Sequence, residues 1–326
     1  MIKERSTNKL LLLLLSKKGE YVSGEEISEK FGVSRTAIWK QIKHLREMGY
    51  EISSMPRIGY CLKKSPDLLL PEEIISKSNL EFLGREIYYY PSIGSTNEEA
   101  KRLAQEGALH GSLVIAEEQT GGKGRMGRTW MSPPRVGIWM SIILRPSLEP
   151  YEAPRITMTS AVAAAKAIRK STGADCRIKW PNDLLIEGKK VAGILTEMSG
   201  DMDGINYVVT GIGINVNNED FPEELKETAT SLKLVCGKNI DRLEVLTEFL
   251  SDFEEYYRYL EAGEFKNVLQ EWRVLCCNLG RRVKIAGRNF ALEGIALDVD
   301  DDGALLVKSE SGKVERILSG DVSLRE

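Results

Sequence analysis

A glycine-rich segment, residues 121–128, is followed almost at once by residues that cannot continue into a helix. Its glycines satisfy the G-x-G-x-x-G spacing of dinucleotide-binding folds, but those folds need a helix next. The sequence Trp130-Met131-Ser132-Pro133-Pro134 excludes that helix. A P-loop is excluded too, because Arg128 stands where that motif has lysine. The segment is predicted to be a mobile loop that presents Lys123, Arg125 and Arg128 to an anion, although a solvated surface loop is the alternative.

Length and composition are typical of a globular protein with two or three domains. Of the 326 residues, 42% are hydrophobic and 29% are charged. The apolar run at residues 10–15 is far shorter than the roughly 20 residues that a membrane helix needs, and no small-residue cleavage site follows it. We therefore expect a cytoplasmic location and no membrane partner.

The cysteine and histidine content limits the possible chemistry. The five cysteines form no C-x-x-C pair, so they are interpreted as reduced thiols. With His44 and His110 as the only histidines, a His/Cys metal site or a Ser-His-Asp triad has little material. Lysine, arginine, aspartate and backbone groups are expected to do the chemical work.

Charge is distributed unevenly along the chain. Residues 1–64 hold 13 Lys and Arg against 7 Asp and Glu, a net charge of +6. The whole chain carries −3, so the remainder carries −9. A basic N-terminal piece on an acidic body indicates that the N-terminal piece meets the anionic partner.

The basic piece has the pattern of a winged helix-turn-helix. We predict helices at residues 5–17, from the capping pattern at 23–26 to Phe31, and from Ser34 to Met48, then strands near 51–53 and 60–62 with a tip at 55–59. Such a unit reads DNA through its last helix and its wing. The predicted DNA-binding residues are Arg35, Thr36, Trp39, Lys40 and Arg57. A helical protein-interaction module with solvated charges is the alternative.

The rest of the chain is predicted to complete a multidomain α+β fold. Residues 1–64 would be the DNA-binding domain, 65–84 a connector with a short helix, 85–275 a mixed α/β body with hairpins, and 276–326 a small SH3-like β-barrel of short strands. In the body, strand-like runs lie at 86–90, 112–118, 137–144, 176–180, 191–198 and 206–216, and helical runs at about 97–106, 153–172 and 241–260.

Two further polar motifs are candidates for ligand contacts. Lys179 and Lys190 flank a predicted hairpin and could converge on one anion, with Asp183 holding Mg²⁺ or orienting a partner. A surface hairpin with solvated lysines is the alternative. The triplet Ser95-Thr96-Asn97 could cap the helix that follows it or point its hydroxyls at a small polar ligand.

Five motifs together resemble the biotin–protein ligase family. They are GSTN (94–97), EEQTGGKGRMGRTW (117–130), KWPNDLL (179–185), KKVAGILTE (189–197) and GIGINVN (211–217), in the family's order and spacing. The preceding winged helix-turn-helix resembles that of the bifunctional ligase/repressor subgroup, and the terminal barrel fits. The resemblance covers essentially the whole chain.

The resemblance implies a set of biotin-binding residues: Ser95, Thr96, Asn97, Gln119, Gly122, Lys123, Gly124, Arg125 and Lys190. The family's G-R-G-R-R-G loop closes over biotin and the adenylate. Here Lys123 replaces the first arginine and Met126 the third, which keeps one charge without the guanidinium fork. Arg125 matches the arginine associated with retaining the reactive adenylate.

The resemblance also implies the adenylate contacts and the reaction. The adenylate-binding residues would be Trp130, Lys179, Asn182 and Asn215. Lys190, Arg125 and Asp183 would be the catalytic residues, with Asp183 as the possible Mg²⁺ ligand. Biotin and ATP would give biotinyl-5′-AMP, and a lysine of a biotin carboxyl carrier protein would then attack the acyl carbon.

The implied second function is repression of biotin genes through operator DNA, by a homodimer that biotinyl-5′-AMP stabilises. Three other classes of protein fit the sequence less well. A lipoate ligase shares the core fold but lacks this combination of loop and KWPND motif. A ligand-sensing repressor without ligase activity would lack the catalytic cations. An NAD oxidoreductase needs the helix that the prolines exclude.

Overall fold

The computed structural model describes residues 5–201, 204–287 and 290–324 of the chain. Contacts divide the chain into two compact units, with the division between Asn79 and Leu80. Within these ranges, no helix has both the length and the apolar character needed to span a membrane.

The first unit consists of helices followed by a two-stranded hairpin and a short helix. Its elements are α1 (Arg5–Ser16), α2 (Gly24–Phe31), α3 (Arg35–Glu47), β1 (Glu51–Met55), β2 (Gly59–Lys64) and α4 (Pro71–Lys77). Ser23 Oγ accepts a hydrogen bond from Glu26 N at 3.0 Å, and Ser34 Oγ accepts one from Ala37 N at 3.2 Å. These side chains cap α2 and α3 at the predicted positions, so the helix-turn-helix pattern is confirmed.

The hairpin of β1 and β2 is held close to the start of α2. Val22 and Tyr60 exchange backbone hydrogen bonds of 2.8 and 2.9 Å. Gly59 has a φ of 129°, and a Cβ there would lie 2.0 Å from the carbonyl oxygen of Val22. Only glycine allows this approach, which holds the tip end of the wing beside the residues that precede α2.

The second unit is built on a mixed seven-stranded sheet. Its strands are β3 (Ile87–Tyr90), β4 (Ser112–Ala116), β5 (Gly137–Leu144), β6 (Arg177–Lys179), β7 (Asp183–Ile186), β8 (Lys189–Asp201) and β9 (Gly204–Asn215). The spatial order is β3-β4-β5-β9-β8-β7-β6, and the β3–β4 pair is parallel while the other pairs are antiparallel.

Helices accompany this sheet: α5 (Thr96–Gln105), α6 (Pro154–Thr172), α7 (Leu232–Cys236), α8 (Arg242–Glu261) and α9 (Phe265–Leu275). Thr157 on α6 donates to Thr196 Oγ1 at 2.7 Å, so Thr196 faces α6. Glu197 is the next residue of β8 and contacts Asn97 at the start of α5. Because side chains alternate along a strand, α5 and α6 lie on opposite faces of the sheet.

The last described strands form a separate antiparallel sheet. They are β10 (Arg282–Ala286), β11 (Ala291–Val299), β12 (Leu305–Ser309), β13 (Val314–Ile317) and β14 (Asp321–Leu324), in the order β13-β12-β11-β10-β14. Val283 and Ile285 on β10 and Val307 on β12 are fully buried. A C-terminal β domain is therefore confirmed. Among the described residues β13 and β14 do not pair, so closure into an SH3-like barrel stays a prediction.

Candidate active site

A cavity of about 610 Å³ opens in the second unit, on the face of the large sheet that carries α5. Its walls come from the glycine-rich loop, the start of α5, β6 to β9, residues 221–229 and residues 321–323. The predicted ligand-binding residues that line it are Ser95, Thr96, Asn97, Gln119, Lys123, Gly124, Arg125, Trp130, Lys179, Asn182, Asp183, Lys190 and Asn215. The structure thus brings residues of all five sequence motifs, including Asn215 of the last one, together at one cavity.

Gly122 is the predicted ligand residue that does not line this cavity. A Cβ at this position would lie 2.3 Å from the carbonyl oxygen of Trp130, whose amide donates to Gly122 O at 2.9 Å. The glycine therefore allows the two ends of the loop to pair closely, which is a structural use of its missing side chain.

One end of the cavity is a buried polar pocket at the start of α5. Ser95, Thr96 and Asn97 are buried, and α5 has no side-chain capping bond at Ser95. Helix capping is thus the wrong interpretation of this triplet. Thr96 donates to Gln119 Oε1 from its amide at 2.8 Å and from its hydroxyl at 3.0 Å. Gln119 Nε2 in turn donates to Ser132 Oγ at 2.8 Å.

Two residues that were not predicted complete this pocket. Asn97 Nδ2 donates to Glu197 Oε2 at 2.8 Å. Ser141 Oγ, fully buried on β5, lies 2.6 Å from Asn97 Oδ1 and 2.8 Å from Thr96 Oγ1. Ser141 belongs to none of the five motifs, and Glu197, the last residue of KKVAGILTE, was given no role there. Ser141 was detectable only as a polar residue inside the apolar strand β5.

The opposite end of the cavity carries a lysine, a carboxylate and an indole. Lys190 Nζ lies 2.6 Å from Asp183 Oδ1 and 5.1 Å from the centre of the Trp130 ring. The Trp130 indole nitrogen is buried without a hydrogen-bond partner among the described residues. A cation beside an unpaired N–H donor suits an anionic or hydrogen-bond-accepting ligand.

Two glycines of β9 that the sequence analysis gave no role make room for these groups. A Cβ at Gly213 would lie 2.4 Å from Trp130 Nε1, and a Cβ at Gly211 would lie 2.0 Å from Asn97 Oδ1. Alternating glycines in a strand are a sequence signal for close approach by a neighbouring group, and this signal could have found them.

The glycine-rich loop is folded over the cavity. Met126 and Gly127 adopt positive φ values of 57° and 74°, and Gly124 N donates to Arg128 O at 2.7 Å. Arg125 Nη1 donates to Asn182 Oδ1 at 3.0 Å, and burial lowers the pKa of its guanidinium. Arg125 thus points inward, with a charge that the surrounding protein only partly solvates.

The other two loop cations have partners outside the cavity centre. Lys123 Nζ pairs with Glu98 on α5 at 2.7 Å, and the Arg128 guanidinium pairs with Asp321 on β14. In the conformation described, Lys123 and Arg128 fasten the loop at its two sides. That the loop presents its three cations to an anionic ligand stays a prediction.

The KWPND segment anchors the cavity to the C-terminal sheet. Trp180 N donates to Asn278 Oδ1 at 2.7 Å, and the Trp180 indole donates to Gly303 O at 3.0 Å. Asn182 Nδ2 donates to Ile194 O at 2.7 Å, and Asn215 Nδ2 donates to Thr230 O at 3.1 Å. These bonds fix the amide side chains before any ligand is bound.

The donors for a metal ion are few. Among the described residues, no group of three or more His, Cys, Asp or Glu side chains could hold a metal ion. Asp183, the predicted Mg²⁺ ligand, is ion-paired with Lys190. Lys179 is the cross-strand neighbour of Asp183, and Lys179 and Lys190 both line the cavity, so their convergence on one anion stays a prediction.

The predicted DNA-binding residues are all exposed in the first unit. Ile38, Ile42 and Leu45 of α3 are buried in its core, and Trp39 is 53% exposed. Exposed side chains near Trp39 and at the hairpin tip are Arg35, Thr36, Lys40 and Arg57. A basic, partly aromatic set of exposed side chains has the chemistry for a nucleic-acid contact.

Comparison with protein families matches three segments of the chain. Residues 89–215 match the biotin/lipoate A/B protein ligase family, residues 7–61 an HTH domain, and residues 279–325 the biotin protein ligase C-terminal domain. The predicted helix-turn-helix, ligase and C-terminal modules each have a counterpart.

Relatives of similar sequence and solved structures indicate the same family as these three matches. The bifunctional ligase/repressor BirA of Bacillus subtilis is 42% identical over 98% of this chain and 99% of its own length. The Escherichia coli BirA is 31% identical over 98% of each chain. The biotin protein ligase of Aquifex aeolicus in complex with biotin and ATP matches with a TM-score of 0.64 and 32% identity, over 74% of this chain and 99% of that one. The chain belongs to the bifunctional biotin–protein ligase/repressor family.

Proposed function

We propose that the cavity activates biotin with ATP to biotinyl-5′-AMP and transfers the biotinyl group to a lysine of a biotin carboxyl carrier protein. The observation that carries this proposal is the composition of the one cavity. A buried polar pocket at Thr96 and Gln119 lies at one end, and Lys190 and Arg125 lie at the other. Biotin likewise has a polar ring at one end and a carboxylate at the other.

The cations would offset the electrostatic repulsion that opposes the first step. The carboxylate oxygen of biotin forms a bond to the α-phosphorus of ATP while the bond to the pyrophosphate oxygen breaks. Both reactants are anions, so Lys190 and Arg125 would offset their repulsion and stabilise the charge that develops. Asp183 would orient the Lys190 ammonium, and Trp130, Lys179, Asn182 and Asn215 would hold the adenylate.

In the second step the amine of the acceptor lysine attacks the acyl carbon, and AMP leaves. The mixed anhydride hydrolyses if water reaches it, so the loop that carries Arg125 has to stay closed until the acceptor arrives. No residue of the chain forms a covalent intermediate in this scheme. The protein contributes position, charge and exclusion of water.

We place Mg²⁺ with the nucleotide. Mg²⁺ is commonly held by one or two carboxylates, water and substrate phosphates, and it would neutralise phosphate charge. Asp183 fits the role of a single carboxylate ligand, although it also pairs with Lys190. Substrate phosphates and water would supply the remaining ligands of the ion.

The helix-turn-helix gives the family's second function, repression through DNA. We propose that Arg35, Thr36, Trp39, Lys40 and Arg57 contact operator DNA of biotin genes, and that a homodimer loaded with biotinyl-5′-AMP is the binding form. The domain limits 1–64, 65–84, 85–275 and 276–326, and an SH3-like barrel in the last, belong to the same proposal.

The test is ATP–pyrophosphate exchange that depends on biotin, followed by labelling of a purified biotin carboxyl carrier domain. Exchange with biotin, none with lipoate, and one labelled lysine are expected. Exchange that requires lipoate instead would identify the chain as a lipoate ligase, which shares the family model of its central segment.

A further inference from the structure

Behind the polar pocket, a chain of hydrogen bonds leads to a carboxylate that has no proposed ligand contact. Glu197 Oε2 accepts from Asn97 Nδ2 at 2.8 Å, while Glu197 Oε1 lies 3.1 Å from Lys101 Nζ. Glu197 is 33% exposed and does not line the cavity, whereas Asn97 is 4% exposed and does. The carboxylate therefore stands at the outer end of a buried polar chain.

This carboxylate determines which way the Asn97 amide points. Nδ2 carries two hydrogens, and its partners are Glu197 Oε2 and the carbonyl oxygen of Leu195 at 3.2 Å, neither of which can donate. Oδ1 then faces Ser141 Oγ at 2.6 Å. Gly211 leaves the space for this arrangement, since a Cβ there would collide with Oδ1.

The hydroxyl hydrogens of Ser141 and Thr96 each have an acceptor in this arrangement. The single hydroxyl hydrogen of Ser141 goes to Asn97 Oδ1, which has none to give. The hydrogen of Thr96 goes to Gln119 Oε1 at 3.0 Å, while Ser141 Oγ, 2.8 Å from Thr96 Oγ1, has no second hydrogen to donate to it. Thr96 therefore keeps no hydrogen for a ligand, and its oxygen offers only lone pairs.

The Gln119 carbonyl oxygen is a second acceptor beside it. Gln119 Nε2 donates to Ser132 Oγ at 2.8 Å, which leaves Oε1 directed at the Thr96 amide. The pocket thus presents oxygen lone pairs and no hydrogen: both lone pairs of Thr96 Oγ1 are open, beside a Gln119 Oε1 that already accepts from Thr96. A cyclic urea presents two N–H donors, which is the complementary pattern.

We propose that Glu197, held by Lys101, is a positioning residue that makes the pocket selective for the two N–H groups of the biotin ureido ring. The inference rests on the proposed function, because it takes biotin as the ligand. If the Asn97 amide were reversed, Nδ2 would donate to Ser141, and the Ser141 hydrogen would serve Thr96. The Ser141 hydrogen would then occupy a lone pair of Thr96 Oγ1, which would leave that oxygen less able to accept an N–H group of the ligand.

The test is the variant Glu197→Gln, which keeps the shape of the side chain but offers a donor to a reversed Asn97. Binding of two probes is measured by calorimetry: biotin, and a cyclic carbamate analogue with one ureido N–H replaced by oxygen. We expect biotin affinity to fall about tenfold, as for loss of a hydrogen bond to a charged group, and the analogue to lose less. The KM for ATP should stay unchanged.

The matched control is Glu99→Gln on the neighbouring helix, whose carboxylate bonds Tyr90 and Arg102 rather than the pocket. It should leave the affinities for both probes as in the wild type. Lys101→Met should shift selectivity in the same direction as Glu197→Gln, and it carries the test if that variant shows no cooperative thermal transition.

Distinct results overturn distinct claims. Equal loss of affinity for biotin and the carbamate, or a matching rise in the KM for ATP, would assign Glu197 a merely structural role. Unchanged biotin affinity in both variants would also overturn the inference while leaving the proposed function intact. A wild-type protein that neither binds biotin nor exchanges pyrophosphate would refute the proposed function as well.

Discussion

Lys190 is the residue on which the proposed chemistry depends most. Its ammonium lies between Asp183 and the Trp130 ring, at the end of the cavity where two anions would meet. Lys190→Ala should lower the rate of biotin-dependent pyrophosphate exchange roughly 10²–10³-fold, the usual effect of removing one such stabilising group. Lys189→Ala is the matched control, because its ammonium donates to Lys226 O outside the cavity. Near-normal exchange in Lys190→Ala would refute the role.

The glycines of β9 give a second prediction. Of two neighbouring substitutions, one should raise the KM for ATP and the other the KM for biotin. Gly213→Ala places a methyl group against the Trp130 indole and should raise the KM for ATP, while Gly211→Ala displaces the Asn97 amide and should raise the KM for biotin. We expect changes of roughly tenfold or more, since neither neighbour is a flexible chain end. Steady-state kinetics with each substrate varied in turn is the measurement. Equal effects of the two variants on both substrates would contradict this division of the cavity.

At the scale of elements, the glycine-rich loop should retain the intermediate. Arg125 reaches from the loop to Asn182, so Arg125→Gly opens this contact without removing Lys190. The variant should still form biotinyl-5′-AMP but release it, and free adenylate should label lysines of bystander proteins such as serum albumin. Mass spectrometry of a mixture with the carrier domain measures this selectivity. Arg135→Gly, an exposed arginine at positive φ outside the loop, should keep labelling confined to the carrier.

Elements with local start and stop signals were predictable from the sequence. α2 and α3 have Ser23 and Ser34 as caps, and the turns of the C-terminal sheet contain glycine and aspartate. α9 (Phe265–Leu275) was missed because Glu264, which precedes it, makes no capping bond. β7 was not among the predicted strands because it has only four residues and directly follows the turn at Pro181 and Asn182.

The candidate site was predictable to the extent that its residues lie in contiguous motifs. Thr96, Gln119 and Lys190 belong to such motifs and line the cavity. Ser141 and Asp321 do not, because tertiary packing alone brings β5 and β14 to these positions. The ion pair of Arg128 with Asp321, for example, joins residues from different domains and leaves no local pattern in the sequence.

At the scale of the whole molecule, ligand, dimer and DNA are expected to be coupled. The chain outside residues 1–64 carries a net charge of −9, which opposes association of two copies. Biotinyl-5′-AMP would fix the loop through Lys190 and Arg125, so association would no longer have to order it. We expect the ligand to strengthen both dimerisation and operator binding, since two helix-turn-helix units then read two half-sites.

Sedimentation of the protein alone, with biotin, and with biotinyl-5′-AMP measures this coupling, with a DNA titration in each state. The carrier domain should reduce dimerisation if it uses the same face. An oligomeric state and an operator affinity that are identical in all three conditions would show that enzyme and repressor act independently.

The contribution of β14 to the cavity has a consequence for the order of events during translation. Apart from Asp321, Val322 and Ser323, the cavity residues lie between positions 95 and 229. Ribosomes add about 5–20 residues per second, so roughly 5–20 s pass between synthesis of the two groups. A nascent chain can therefore fold its large sheet while the partner of Arg128 is still unmade, and this side of its loop is tied down only when β14 emerges.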